Sequence, residues 1–187
     1  MIPDAHDEVA RYLDRHPQDR ERLGLLLDQM ASGEDYGARS NMRGHVVSSI
    51  MTLDRTRRRT LLILHGAYGL WIPPGGHYEA PGTLHVSGLR ELAEETGLNA
   101  TRSPMGRALL LDIDTHPIPA RPDKGEGPHF HHDVMYLELA DEDFEPSLQA
   151  EEVAGGAWRD LDSLAVQEGR MSRLAKRIRA LPASLLA

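Results

Sequence analysis

The sequence predicts an α/β protein: an α/β/α sandwich around a mixed β-sheet, with a helical extension at the N-terminus. Three observations carry this. Apolar runs of strand length stand on both sides of one central amphipathic helix, and further helical periodicity closes the chain. Elements in that order bury a sheet between helical layers. Residues 1–38 show helical periodicity and end in a Gly-containing linker, so the chain divides into an extension, 1–38, and a domain, 39–187.

In the extension, Val9, Tyr12 and Leu13 make one small apolar face, and Pro17 breaks the pattern or opens a second helix. Leu23, Leu26, Leu27 and Met30 give that second helix its stripe, and Ser32 to Gly37 is linker by composition. These helices are expected to pack on the domain or on a partner subunit, which would allow a homodimer. His45 to Leu53 and Thr60 to His65 read as strands, the second continuous enough to be buried on both faces. Between them Arg55, Arg57, Arg58 and Arg59 could touch a phosphate, but a solvated turn is the simpler reading.

Further on, Met105 to Ile113 reads as a strand and Pro117 to Pro128 as a long loop, since it holds four prolines and two glycines. His131 to Leu139 alternates Val134, Tyr136 and Glu138 against Asp133, Met135, Leu137 and Leu139. Asp141 to Glu152 is an acidic loop and Val153 to Trp158 a last strand. Asp162 to Leu181 makes one or two helices, with Arg170, Arg173, Lys176, Arg177 and Arg179 read as a solvated face.

Composition bounds the function. The chain has 187 residues, no cysteine and a net charge of −8. That leaves no thiol nucleophile, thiolate metal site or disulfide. The acidic balance argues against a nucleic-acid partner, which would demand a basic footprint. No apolar run approaches the roughly 20 residues of a membrane span. The acidic N-terminus lacks the features of a signal peptide, so a cytoplasmic location is expected.

The central stretch runs from Gly75 to Leu98. As a helix over Gly82 to Thr96, it places Val86, Leu89, Leu92, Ala93 and Thr96 on one side and Glu91, Glu94 and Glu95 on the other. Three carboxylates within one turn repel one another. A hard divalent cation bound through oxygen would compensate. Gly97 closes the helix.

This stretch resembles the Nudix box, G-x5-E-x7-R-E-U-x-E-E-x-G-U, where U is aliphatic. Gly76, Arg90, Glu91, Leu92, Glu94, Glu95, Gly97 and Leu98 match in register, and Gly82 stands where the pattern has its first glutamate. The resemblance covers roughly residues 39 to 175. His45-Val46 at the start of a strand, Trp71 to His77, the Asp112-x-Asp114-x-His116 run and His131 to Tyr136 are similar to a bacterial branch of that family.

The resemblance implies the Nudix fold and a pyrophosphohydrolase using Mg²⁺ or Mn²⁺. The implied reaction is water attack on phosphorus in a small nucleoside diphosphate derivative. It also implies metal ligation by Glu91, Glu94, Glu95 and the Gly76 carbonyl, with Arg90 orienting a glutamate. The general base is implied to come from Glu91 or Glu95, or from Glu151 or Glu152 in the later loop; Glu152 is the loop candidate, with a solvated loop charge as its simpler reading. Trp71, His77, His131 and Asp133 are the substrate-binding candidates. Glu79 could replace the missing carboxylate if Ala80-Pro81 bends it inward. The alternative is a Nudix-fold nucleotide sensor with weak or no catalysis, for which Gly82 is the main support. A diphosphate isomerase on the same fold is disfavoured by the lack of cysteine. RNA decapping is disfavoured by the charge. A second constellation, His129, His131, His132, His116 and Asp114, has donors that could hold zinc, although pocket-lining or surface histidines account for it more simply.

Overall fold

The computed structural model describes residue 2 and residues 5–66, 69–99, 101–140, 144–148 and 153–186, the side chains of Met105 and Asp123 excepted. Helices α1 (Ala5–Arg15) and α2 (Gly24–Ser32) precede strands β1 (His45–Leu53), β2 (Arg59–His65), β3 (Leu70–Ile72) and β4 (Gly75–His77). Helix α3 (Leu84–Thr96) follows, then β5 (Thr101–Arg102), β6 (Leu109–Ile118), β7 (His129–Ala140) and β8 (Val153–Asp160). Helices α4 (Leu161–Ala165) and α5 (Arg170–Arg179) close the chain.

The strands form one mixed sheet. β1 and β7 run parallel, from His45 beside His131 to Leu53 beside Leu139, and the remaining pairings are antiparallel. β1 meets β2 only at Leu53 and Thr60, and the vacated edge of β1 is taken by β4, with Val47 opposite His77 and Ser49 opposite Gly75. That insertion brings the Gly75-Gly76 backbone against the middle of the sheet.

Each face of the sheet has its own core. Val46, Ile50, Val134 and Tyr136 pack with α1, α2 and α3 through Val9, Tyr12, Leu26, Leu84 and Leu92. Met51, Leu53, Met135, Leu137 and Leu139 pack on the other face with Leu161, Leu164, Leu174 and Ile178 of α4 and α5. The period-2 alternation read along β7 is therefore the division between the two cores. Helices α1 and α2 spend their apolar faces on this chain's own sheet.

Helix α3 is capped by Thr83, whose hydroxyl accepts from the Val86 N–H at 3.3 Å, and stopped by Gly97 in the left-handed region at φ 76°. Its buried stripe differs from the expected one. Leu84, Ser87, Gly88, Leu92, Glu95 and Thr96 face inward, while Val86 is 56% exposed. Small residues decide this, because they let the helix axis lie close to β1. A Cβ on Gly88 would stand 2.8 Å from Ser48 Oγ and 2.9 Å from Ile50 Cδ1. Replacing Gly88 by Val is expected to lower unfolding free energy by about 1–3 kcal/mol through overpacking, measured by chemical denaturation. No loss would mean that the helix does not depend on this close approach.

Other boundaries moved for identifiable reasons. Pro104–Gly106 form a 3-10 turn, so β6 begins at Leu109 rather than near residue 105. β6 then runs through Pro117 to Ile118, into the expected loop. It pairs only with β7, and on such an edge strand the missing proline N–H breaks no ladder bond.

The arginines of α5 also correct the reading of a solvated face. Arg170, Arg173 and Arg177 turn inward onto Asp112, which is 0% exposed, and Asp114 and Asp133 join the same network. Arg170 reaches Asp112 at 3.2 Å and Asp133 at 2.6 Å, and Arg173 reaches Asp112 at 3.3 Å and Asp114 at 2.9 Å. Arg22, between α1 and α2, pairs with Asp19 at 2.8 Å and with Asp114, and Tyr12 OH lies 3.0 Å from Asp112. Buried carboxylates on β6 and β7 require cations, and α5 and the N-terminal segment supply them.

Candidate active site

The box residues converge where β4 meets α3. Arg90 is the hub: its guanidinium donates to Glu91 Oε1 at 2.8 Å and to Glu94 Oε2 at 2.8 Å, and lies 3.3 Å from Glu79 Oε1. It also donates to the His77 carbonyl at 3.5 Å, which ties the helix to β4. Glu95, 3% exposed, accepts from the Gly75 N–H at 2.9 Å. Gly76 lies against Glu91 so closely that a Cβ there would fall on the Glu91 carboxylate. Both glycines are therefore required by close approach, since a Cβ on Gly75 would stand 2.6 Å from the Ser48 carbonyl.

The electrostatics suit a cation. Burial pushes Glu91 above the usual carboxylate range, Arg90 opposes this, and Glu94 and Glu79 add to the rise. One guanidinium thus serves three carboxylates while Glu95 has a backbone donor, an acidic excess made wholly of oxygen donors. Such a set fits a hard divalent ion, and the Gly76 cradle that a Cβ would fill brings its backbone directly against the Glu91 carboxylate. Glu79 is on Arg90, three residues before Gly82, so the loop returns a carboxylate to the cluster from a different position.

The other predicted residues divide. Glu151 and Glu152 lie outside the described residues. Trp71 sits on the sheet face opposite α3, with Arg159 stacked 4.2 Å from its ring. It lines a cavity of about 440 Å³ together with Trp158, Arg159, Gln167 and Met171. Asp133 does not face the carboxylates. Its Oδ1 accepts from Ser49 Oγ at 2.6 Å and its Oδ2 from Arg170, inside the buried network.

The histidines rearrange the second constellation. His45, His77 and His131 place ligand nitrogens within 4.8 Å of one another. His129 Nε2 stands 3.2 Å from His131 Nε2, and the His129 ring stacks on His45 at 4.9 Å between centroids. His132 is a core residue, held by Thr115 at 2.9 Å and Gln29 at 2.7 Å. His45 and His77 were absent from the constellation in the sequence. A strand beginning His-Val and the Pro-Gly-Gly-His run carry them, but only the register of β1, β4 and β7 shows that they meet. Burial lowers His77 to about 4, aided by Arg39 and His45. Burial lowers His131 to about 2, aided by the neighbouring imidazoles.

Comparison with known proteins places the chain. A family model described as the NUDIX domain matches residues 42–181. The chain is 33% identical over 139 residues to the m7GpppN-mRNA hydrolase NUDT17 of Bos taurus, covering 74% of this chain and 42% of that protein. It is 32% identical over 161 residues to the Danio rerio m7GpppN-mRNA hydrolase NUDT17, covering 79% and 49%. The chain thus spans less than half the length of these relatives, both of them vertebrate. A NUDIX-family hydrolase from Clostridium perfringens superposes with a TM-score of 0.50 at 22% identity, over 76% of this chain and 99% of that one. A C. elegans Ap4A hydrolase binary complex gives 0.54 at 16%, over 72% and 95%. At these identities the likeness is one of fold. Among the described residues no helix is long and apolar enough to cross a membrane.

Proposed function

The chain belongs to the Nudix hydrolase family, and on that premise we propose that it cleaves a diphosphate linkage in a nucleoside diphosphate derivative, with a divalent metal ion held at α3. The observation that carries the proposal is the arrangement around Arg90, which gathers Glu79, Glu91 and Glu94 beside the Gly76 backbone.

Glu91, Glu94, Glu95 and the Gly76 carbonyl would hold Mg²⁺ or Mn²⁺. Such an ion neutralises the diphosphate and lowers the pKa of a bound water. Arg90 is a positioning residue, because its guanidinium is committed to the carboxylates. Glu91 and Glu95 are the helix candidates for general base, whichever is not spent on the metal. The phosphate chain would lie over the Gly75-Gly76 turn. The cavity of about 440 Å³ beside Trp71 lies on the opposite face of the sheet from these carboxylates and is not assigned to the substrate. Asp133 has a structural part instead.

The substrate class is a small nucleotide derivative with a phosphoanhydride. The m7GpppN-mRNA and Ap4A hydrolases named above support that class, and dinucleoside polyphosphates and cap analogues belong in any substrate panel. The Trp-x-x-Pro-Gly-Gly-His run supports placement in a bacterial branch. The test is product release from nucleoside diphosphate sugars, dinucleoside polyphosphates and cap dinucleotides, with Mg²⁺, with Mn²⁺ and with chelator. Cleavage of at least one compound that stops on chelation and returns with metal is expected. Ligand binding detected by thermal shift, with no cleavage under any metal, would establish the sensor reading that Gly82 favours.

A further inference from the structure

We propose that His45, His77, His131 and His129 form a second metal site, for a zinc-type transition-metal ion, separate from the oxygen-donor site on α3.

Backbone register builds this cluster. His45 is the first residue of β1 and lies beside His131 of the parallel β7. His77, the last residue of β4, lies opposite Val47, two residues along β1 on the same face. Three strands therefore deliver three imidazoles to one point, with ring centroids 4.9 to 5.4 Å apart. Their nitrogens lie within 4.8 Å of one another. Tetrahedral zinc with bonds of about 2.0–2.1 Å needs ligand separations of about 3.4 Å, a contraction that side-chain rotation supplies.

Tautomers follow from the outer partners. His45 Nδ1 faces the Asn41 carbonyl at 3.2 Å, and a carbonyl can only accept, so the proton is on Nδ1. His45 Nε2 then carries a lone pair. That atom is buried, in a residue 0% exposed, and has no hydrogen-bond partner among the described residues. A buried polar atom left this way calls for an explanation, and a missing ion is one. His129 repeats the arrangement. Its Nδ1 donates to the Gly127 carbonyl at 2.8 Å, so its Nε2 carries a lone pair, aimed into the cluster and accepting from His131 Nε2 at 3.2 Å. An imidazole anchored through one nitrogen to a carbonyl, with the lone pair of the other turned into the cluster, is the usual outer arrangement of a metal-binding histidine. His116, 6.0 Å from the His131 ring and bonded to Asp114 at 3.3 Å, stands just outside. His132, with both nitrogens satisfied, shows what an ordinary core histidine in this protein looks like.

Donor chemistry selects the ion. Neutral imidazoles suit zinc and its neighbours, whereas Mg²⁺ and Mn²⁺ prefer oxygen. The nearby cation Arg39 is neutralised by Glu126 at 2.6 Å, so it does not bar a dication. His77 and His131 are only partly buried, which gives the ion a way in.

The test uses the full chain, stripped with chelator and desalted, then exposed to zinc chloride alone. Bound zinc per chain is read by elemental analysis, and affinity by competition with a zinc indicator. To silence the carboxylate site, the measurement is repeated in a Glu91→Gln/Glu94→Gln background. One zinc per chain is expected in both proteins. His131→Gln and, independently, His77→Gln in that background should weaken zinc at least about tenfold, the lower end of what even an outer partner is worth. Circular dichroism of the metal-free variants confirms that they are folded. No zinc uptake by the stripped chain would overturn the proposal, as would zinc lost with the glutamates or retained at full affinity by both histidine variants.

Discussion

Glu95→Gln is expected to lower kcat by about 10²–10³ while leaving the protein folded. Glu95 is the most buried of the three box carboxylates, and one of its oxygens is spent on the Gly75 N–H at 2.9 Å. Glutamine has the same shape and keeps an acceptor for that N–H, so the β4–α3 junction survives. What disappears is one negative donor of the proposed metal-ligand set. Removing one electrostatic stabiliser from a water-poor site costs about 2.7–4 kcal/mol of barrier. The same change at Glu94, half exposed with 51% of its side chain accessible, should cost less, because solvent already screens its charge. Steady-state kinetics at saturating metal, with melting temperatures alongside, measures both. Equal activity in Glu95→Gln and wild type would remove Glu95 from the ligand set.

Asp112→Ala is expected to lower unfolding free energy by about 3–5 kcal/mol, the usual cost of stripping one partner from a buried ion network. Domain stabilities are about 5–15 kcal/mol, so this variant would stand near the edge of folding at 37 °C. Asp112 faces Arg170 at 3.2 Å, Arg173 at 3.3 Å and Arg22 at 3.6 Å, and also Arg177, so its loss leaves several guanidiniums short of a counter-charge. Equilibrium denaturation in urea gives the number. A loss below about 1 kcal/mol would place the network among weak surface pairs.

The same network sets a pH dependence. Burial alone would raise Asp114, but its hydrogen bond with His116 and the Arg170 and Arg22 guanidiniums more than reverse that and hold it well below the usual range. Asp19 is lowered as well, through Tyr12, Arg177 and Arg22, against its own burial. A carboxyl depressed in the folded state contributes stability above its unfolded pKa and loses it as pH falls through the folded one. Stability should therefore decline in two stages as pH falls. The first lies below about pH 6.5, because His77, His131 and His132 stay neutral in the folded state while the unfolded chain takes up their protons. The second lies below about pH 5, as the carboxyl contribution is lost, with less of this second decline in an Asp114→Asn variant.

Much of this architecture was legible because it is local. The stripe of β1, the alternation along β7, the glycine stop of α3 and the Arg90-Glu91 and Glu94-Glu95 pairs are read within a few residues. What escaped depends on strand order and register. Val86 looked apolar enough to be buried, but Ser87 and Gly88 turn their own side of the helix to β1. Arg170, Arg173 and Arg177 looked like a charged surface, because nothing in helical periodicity shows that Asp112, Asp114 and Asp133 wait beneath them. Asp133 was grouped with substrate for the same reason. His45 is legible as the start of a His-Val strand, but only the parallel β1–β7 pairing sets it beside His131.

The most direct measurement is cleavage in ¹⁸O-water of whichever nucleoside diphosphate derivative the panel identifies, followed by mass spectrometry of both products. The account predicts metal-dependent cleavage with one ¹⁸O on a phosphate of one product and none on carbon, at a rate that falls in Glu95→Gln. Tight, saturable binding of these compounds with unlabelled, uncleaved ligand recovered under every metal would contradict it.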